Sequence, residues 1–360
     1  MTVRVGLIGA GHSGGFHSRA LRAVLRRELA DGEYVAVADH DRTRAAAFAS
    51  AADLPICLND GHALIDRPEV SAVYICTPTR EHRELVLHAA RAGKAIFCEK
   101  PLAMDLATAR ELTAAVQAAG VVNQVGLVLR FSPILTVLKE LMSDARLGRP
   151  MSLLFRDDQF FPIQGHYGSD WRGDVAQAGG GALIEHSIHD LDLLRWLLGE
   201  PEWLRAATRN FAGHAGIEDL ANVQLGYAGG CIASLTSIWH NVLSRPSSRQ
   251  IEVFFENGYF ALEQDFLGPI RMHTAWDGRV ELSEADVFAR YCRLAGLEDE
   301  ALRVAARRWS LEDLSFLRAA AGGGPAFPDF AVALRAHELV DAVYRSAATR
   351  AEVVLDHRVR

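Results

Sequence analysis

The sequence predicts an α/β protein: a doubly wound parallel sheet in the N-terminal third, then an α+β half with a large, mostly antiparallel open sheet. Two changes of pattern predict this. From Val3 to Leu129, short apolar runs alternate with helical stretches of about 10–15 residues, the signature of βαβ units. Beyond residue 130, strand-like runs follow one another and are broken by Gly229-Gly230, Asn257-Gly258 and Asp277-Gly278, where hairpins need positive φ.

The elements are expected in this order. Val3–Ile8 is a strand, and Gly15–Ala30 a helix with Phe16, Ala20, Leu21, Val24 and Leu25 on one stripe. Tyr34–Ala38, Ala72–Cys76, Ala95–Cys98 and Val121–Leu129 are strands, separated by helices at Thr43–Ala51, Glu81–Ala92 and Leu106–Ala119. These strands are apolar throughout, as in a parallel sheet buried on both faces. In the second half, a helix at Ile134–Met142 and a strand at Met151–Asp157 lead to one long apolar helix, Ala182–Leu198. Strands then run from Leu204 to Leu282, residues 284–320 are helical, and Phe330–Ala347 is a closing helix. Domains are expected at 1–125 and 126–360, with the last helix, about 328–348, packing back toward the first.

The chain has 360 residues and a formal charge of −7, which argues against a nucleic-acid surface. No apolar run reaches the length of a membrane span. Five scattered cysteines without a C-x-x-C pair form no disulfide framework, so a reducing cytoplasm is expected.

Gly9, Gly11 and Gly14 form G-x-G-x-x-G between the first strand and the first helix. In that context the motif is a Rossmann dinucleotide fingerprint: a tight turn, close approach of backbone to the pyrophosphate, and close helix–strand packing. Asp39 ends the second strand, where a carboxylate receives the ribose hydroxyls and repels a 2′-phosphate. NAD is therefore expected over NADP, with Arg42 as the nearby opposing charge. Thr77 and Pro78 follow the next core strand, at the edge where ligands bind such sheets, and are expected either at the cofactor or in a structural turn.

The glycine turn, Thr77-Pro78, Gly93-Lys94 through Glu99-Lys100-Pro101, and Gly179-Gly180-Gly181 followed by His189 and Asp192 together resemble the Gfo/Idh/MocA oxidoreductases, over nearly the whole chain. The resemblance implies a pyridine nucleotide, a sugar, cyclitol or related polyol as substrate, a homodimer or homotetramer, a catalytic lysine at Lys100 and a cis bond before Pro101. It also places Trp171-Arg172 against the cofactor. The family often carries Asp four residues before the histidine; here Glu185 stands there.

The residues support the same chemistry. Glu99-Lys100 is a charged pair at the end of a buried strand. There the ammonium can stabilise alkoxide character as hydride leaves. On a continuous helix, Glu185, His189 and Asp192 at i, i+4 and i+7 share one face. His189 is the expected general base, Glu185 or Asp192 orients it or binds a substrate hydroxyl, and Arg130 lines the pocket. Glu185, His186 and His189 offer no fourth ligand at useful spacing, so no metal is expected. The expected function is hydride transfer between a secondary alcohol and NAD(P). The alternatives are a non-catalytic NAD-binding sensor and a redox-neutral, glycosidase-type enzyme on the same fold.

Overall fold

In the computed structural model, residues 2–308, 311–322 and 324–355 are described. They divide into two compact units: residues 1–128 with 298–334, and residues 129–297 with 335–360. The sequence reading drew one boundary; the chain instead returns to the first unit for the segment 298–334.

The first unit is a six-stranded parallel sheet of β1 (Val3–Ile8), β2 (Gly32–Ala38), β3 (Ile56–Leu58), β4 (Ala72–Ile75), β5 (Ala95–Cys98) and β6 (Asn123–Val125), in the order β3-β2-β1-β4-β5-β6. The order reverses between β1 and β4, which opens the ligand crevice of such sheets at their C-terminal ends. Side chains alternate between two cores. Ile8, Val73, Ile75 and Ile96 enter one, while Val5, Leu7, Tyr74 and Phe97 enter the other.

The returning segment supplies both cores, with Phe330 on one face and Leu314, Phe316 and Leu317 on the other. Burying each such side chain contributes about 1.5–3 kcal/mol. Backbone ties fix it further: the Gln124 amide donates to the Glu312 carbonyl at 2.9 Å, and the Phe330 N–H donates to Asn123 at 2.9 Å. Asp41 and Asp105 cap the helices Arg42–Ala52 and Leu106–Ala119 by accepting backbone N–H groups. The strand expected over Val121–Leu129 shrinks to β6, followed by a 3₁₀ turn at Val128–Phe131. The β3 strand was missed because three residues carry too little periodicity.

The second unit holds a nine-stranded sheet, counted among the described residues: β7 (Pro150–Phe160), β8 (Pro201–Arg209), β9 (Leu220–Tyr227), β10 (Ile232–His240), β11 (Ser248–Phe255), β12 (Gly258–Leu262), β13 (Ile270–Thr274), β14 (Gly278–Leu282) and β15 (Val353–Val354). Its order is β14-β13-β12-β11-β7-β10-β9-β8-β15, and only the β7–β10 pair is parallel. One face is apolar and buried, with Leu153, Phe155, Ala233, Leu235, Ile251 and Val253. On the other face, Leu154, Ile232 and Phe254 are each at least 40% exposed and stand on the neighbouring strands β7, β10 and β11. Among the described residues, no helix is long and apolar enough to cross a membrane.

Candidate active site

Each unit carries its own set of polar side chains. In the first, β1 runs into Gly9, which adopts φ 98°, and a Cβ there would stand 2.6 Å from the Cys76 carbonyl oxygen. At Gly14 a Cβ would meet the Gly9 carbonyl at 2.0 Å, so helix and strand pack only around glycine. Gly11 differs: its φ is −82° and a Cβ would meet nothing within 4 Å. Among the described residues nothing crowds that point, which fits a diphosphate approaching the backbone. Gly11 is the N-cap of the helix His12–Leu25; no side chain caps that end and no acid sits in its first turn. The first N–H groups thus face outward with the positive end of the helix dipole.

Asp39 lies just beyond β2, buried, with one oxygen accepting the Ala10 N–H at 2.8 Å and the other the Asp41 N–H at 2.9 Å. Each oxygen keeps a lone pair for a ribose hydroxyl. Arg44, rather than Arg42, is the arginine beside it, at 3.6 Å. Beyond β4, the Thr77 hydroxyl is buried with no hydrogen-bond partner among the described residues, again consistent with a bound nucleotide. His82 lies under this loop, its ring nitrogens 3.1 Å from the Thr77 carbonyl and 3.0 Å from that of Pro101. The glycine cradle, Asp39 and the Thr77 hydroxyl together fit a dinucleotide.

β5 ends in Glu99-Lys100-Pro101, and the Lys100-Pro101 bond is cis. The chain has three lysines. Lys94 spends its ammonium on the Arg67 and Val70 carbonyls, and Lys139 donates to the Trp196 carbonyl. Glu99 accepts the Lys100 backbone N–H at 2.9 Å and meets the buried His17 imidazole at 2.9 Å. The far side of that ring meets Asp313 at 2.9 Å. Burial opposes a charge on His17, but the two carboxylates outweigh it and hold its pKa well above the ordinary imidazole value. Burial likewise pushes against ionised Glu99, yet His17 keeps its pKa below the ordinary value.

In the second unit, the expected helix Ala182–Leu198 is two helices, Ala182–Glu185 and Ile188–Leu198. The break falls at His186 (φ −127°, ψ −61°) because side chains there bond outward to the sheet. His186 meets Asp157 on β7 at 3.0 Å, and the Ser187 hydroxyl lies 3.1 Å from Asp157 and 2.6 Å from that of Ser237. The i, i+4, i+7 stripe therefore does not hold. Glu185 ends one helix; His189 and Asp192 open the next, and all three are buried.

Glu185 accepts from Arg172 at 3.1 Å, and that guanidinium lies 4.4 Å from the Trp171 ring centre. Trp171 packs against the cluster of Phe161, Ala182 and Trp239. Asp192 is held by Arg130 through two hydrogen bonds, 2.7 and 2.8 Å. The expected residues of this unit thus fall into two acid–arginine pairs plus His189.

Three features escaped sequence reasoning. His17 sits three residues after Gly14, on the buried stripe with Ser18 and Leu21; a histidine on a core-facing stripe is the signal that was available. Arg249, buried among Asp157, Asp190 and Asp265, anchors the start of the helix Ile188–Leu198. Burial and the nearby Asp157 push Asp190 up to about 7. Glu218 accepts the Gly181 and Leu183 N–H groups, each at 2.9 Å, and fixes the glycine loop. A Cβ on Gly181 would fall 1.9 Å from the Glu218 carbonyl oxygen, which is why glycine stands there.

Comparison with known proteins agrees. Residues 3–127 match the sequence model of the oxidoreductase family with an NAD-binding Rossmann fold, and residues 135–261 match the GFO/IDH/MocA C-terminal domain. An inositol 2-dehydrogenase of Rhizobium meliloti is 30% identical over 98% of this chain and 99% of its own. A 1,5-anhydro-D-fructose reductase of Ensifer adhaerens is 34% identical over 52% of this chain and 56% of its own. A levoglucosan dehydrogenase in complex with NADH and levoglucosan shares the fold, with a TM-score of 0.85 and 23% identity over 99% of this chain and 100% of its own. The chain belongs to the Gfo/Idh/MocA family of oxidoreductases.

Proposed function

We propose that this protein oxidises a secondary alcohol of a cyclitol, sugar or related polyol with NAD, reversibly. One observation carries the reading. Gly9 follows β1, Thr77 follows β4 and Lys100 follows β5; these strands are parallel neighbours, so all three positions lie at one edge of the sheet. A dinucleotide cradled by Gly9, Gly11 and Gly14 has Lys100 at the same edge. The relatives named above act on inositol and on an anhydro sugar, which supports a polyol.

When bound, NAD supplies the hydride acceptor. Gly9, Gly11, Gly14 and Asp39 would hold its diphosphate and adenosine ribose, with Thr77, Pro78, Glu99, Trp171 and Arg172 as further contacts. The Lys100 ammonium donates a hydrogen bond to the substrate oxygen and stabilises its alkoxide character. His189 takes the hydroxyl proton as the carbonyl forms. Glu185 and Asp192, held by Arg172 and Arg130, present carboxylate oxygens to the remaining hydroxyls.

NAD is preferred to NADP because the Asp39 carboxylate would face a 2′-phosphate. The protein works in the reducing cytoplasm, in keeping with five scattered cysteines that include no C-x-x-C pair. It assembles as a homodimer or homotetramer through the sheet face that exposes Leu154, Ile232 and Phe254; sedimentation of wild type and a Leu154→Glu variant tests this, a wild-type monomer being the contrary result. The activity is tested by following nicotinamide reduction with NAD and NADP across inositols, anhydro sugars, aldoses and sugar acids. Reduction with at least one polyol is expected. Binding of NAD without reduction of any would overturn the reading.

A further inference from the structure

We infer that His17 is a positioning residue for Lys100: its imidazole grips Glu99, and Glu99 in turn holds the Lys100 backbone. The inference rests on the reading of Lys100 as the catalytic lysine. The chain of contacts is short and lies wholly within the first unit. The Glu99 Oε1 atom is 2.9 Å from His17 Nε2, and its Oε2 accepts the Lys100 N–H at 2.9 Å. Both oxygens of one carboxylate are thereby committed, so its rotation is fixed from the helix side and its grip on Lys100 follows.

The surroundings favour this one orientation. Gly126, beside β5, leaves the space that the carboxylate fills; a Cβ there would stand 2.9 Å from Oε2. His17 cannot swing away, because Asp313 holds its other nitrogen and Tyr74 and Phe97 pack around the ring, with centroids 5.4 and 4.7 Å away. The His17 side chain is wholly buried while that of Glu99 is 16% exposed. Here one end of the relay is anchored in the core and the other on the Lys100 main chain.

The scarcity of lysine makes the link measurable. Reductive methylation with ¹³C-formaldehyde labels only Lys94, Lys100, Lys139 and the α-amino group, and K100R assigns the Lys100 signal. In the full-length protein, His17→Gln is expected to shift the dimethyl-Lys100 resonance and leave those of Lys94 and Lys139 in place. Glu99→Ala, which also relieves the buried acid if His17→Gln folds poorly, is expected to shift the same resonance. Adding His17→Gln to Glu99→Ala should then move it no further. A Lys100 signal unmoved by His17→Gln, or one moved equally with and without Glu99, would overturn the relay. Turnover of Lys100→Ala on the polyol panel separates this from the parent reading. Retained turnover removes Lys100 from the reaction and the relay's role with it, whereas lost turnover with an unmoved Lys100 signal overturns His17 alone.

Discussion

Arg130 closes on Asp192 with two parallel hydrogen bonds, 2.7 and 2.8 Å, where the Asp192 side chain is 2% exposed. The fork geometry matches carboxylate shape. Removing Arg130 strips both of these hydrogen bonds from the buried carboxylate and leaves Arg195, 4.0 Å away, as a neighbouring charge. Arg130→Ala is therefore expected to cost about 3–5 kcal/mol, read by urea unfolding. The paired replacement Arg130→Met with Asp192→Leu should recover most of that loss. A cost below about 1 kcal/mol for the single variant, the range of exposed pairs, would show that Asp192 is solvated in solution.

Asp39 is the proposed selector between the two nucleotides. Asp39→Asn removes the charge and, since an amide has a single acceptor oxygen, keeps an acceptor for only one of the Ala10 and Asp41 N–H groups. The preference for NADH over NADPH should narrow by about tenfold, equivalent to ~1.4 kcal/mol, in fluorescence titrations. An unchanged ratio, or a wild type that prefers NADPH, would remove Asp39 as the selector, and Arg44 at 3.6 Å would be the residue to examine.

Asp190 gives the second unit a pH dependence with a definite sign. Its folded pKa is raised to about 7 from 3.8, by burial first and by Asp157 second. A group whose folded pKa is raised favours the fold most below its unfolded pKa and loses that contribution as pH rises through the folded value. Wild type should therefore lose stability between pH 5 and pH 8 relative to Asp190→Asn, whose Oδ1 still accepts from Arg249. A difference of about 1 kcal/mol would appear as about 2–4 °C in Tm for a domain of roughly 150–250 residues. Parallel Tm curves for the two proteins would contradict it.

What the sequence revealed and what it hid follow from the range of the interactions. The glycine turn, Asp39 and the Glu99-Lys100-Pro101 strand end were legible because each is a local pattern with a local physical cause. The return of residues 298–334 to the first unit was not. Phe316 and Phe330 read as ordinary apolar helix positions, and only the structure shows which sheet faces they cover. The break at His186 was hidden for the same reason, since it depends on Asp157, 29 residues away in sequence. Buried ion groups such as His17–Glu99–Asp313 join positions up to 296 residues apart and leave a trace only as polar residues on apolar stripes.

Lys100 is the side chain on which the proposed chemistry turns, since its ammonium is the group proposed to stabilise the alkoxide as hydride leaves. His189→Gln, the variant of the proposed general base, is expected to lower kcat on the best polyol by about 10²–10⁴. The most direct test is Lys100→Ala: kcat is expected to fall by about 10²–10⁴ with NADH binding retained, and near-normal turnover would contradict the account.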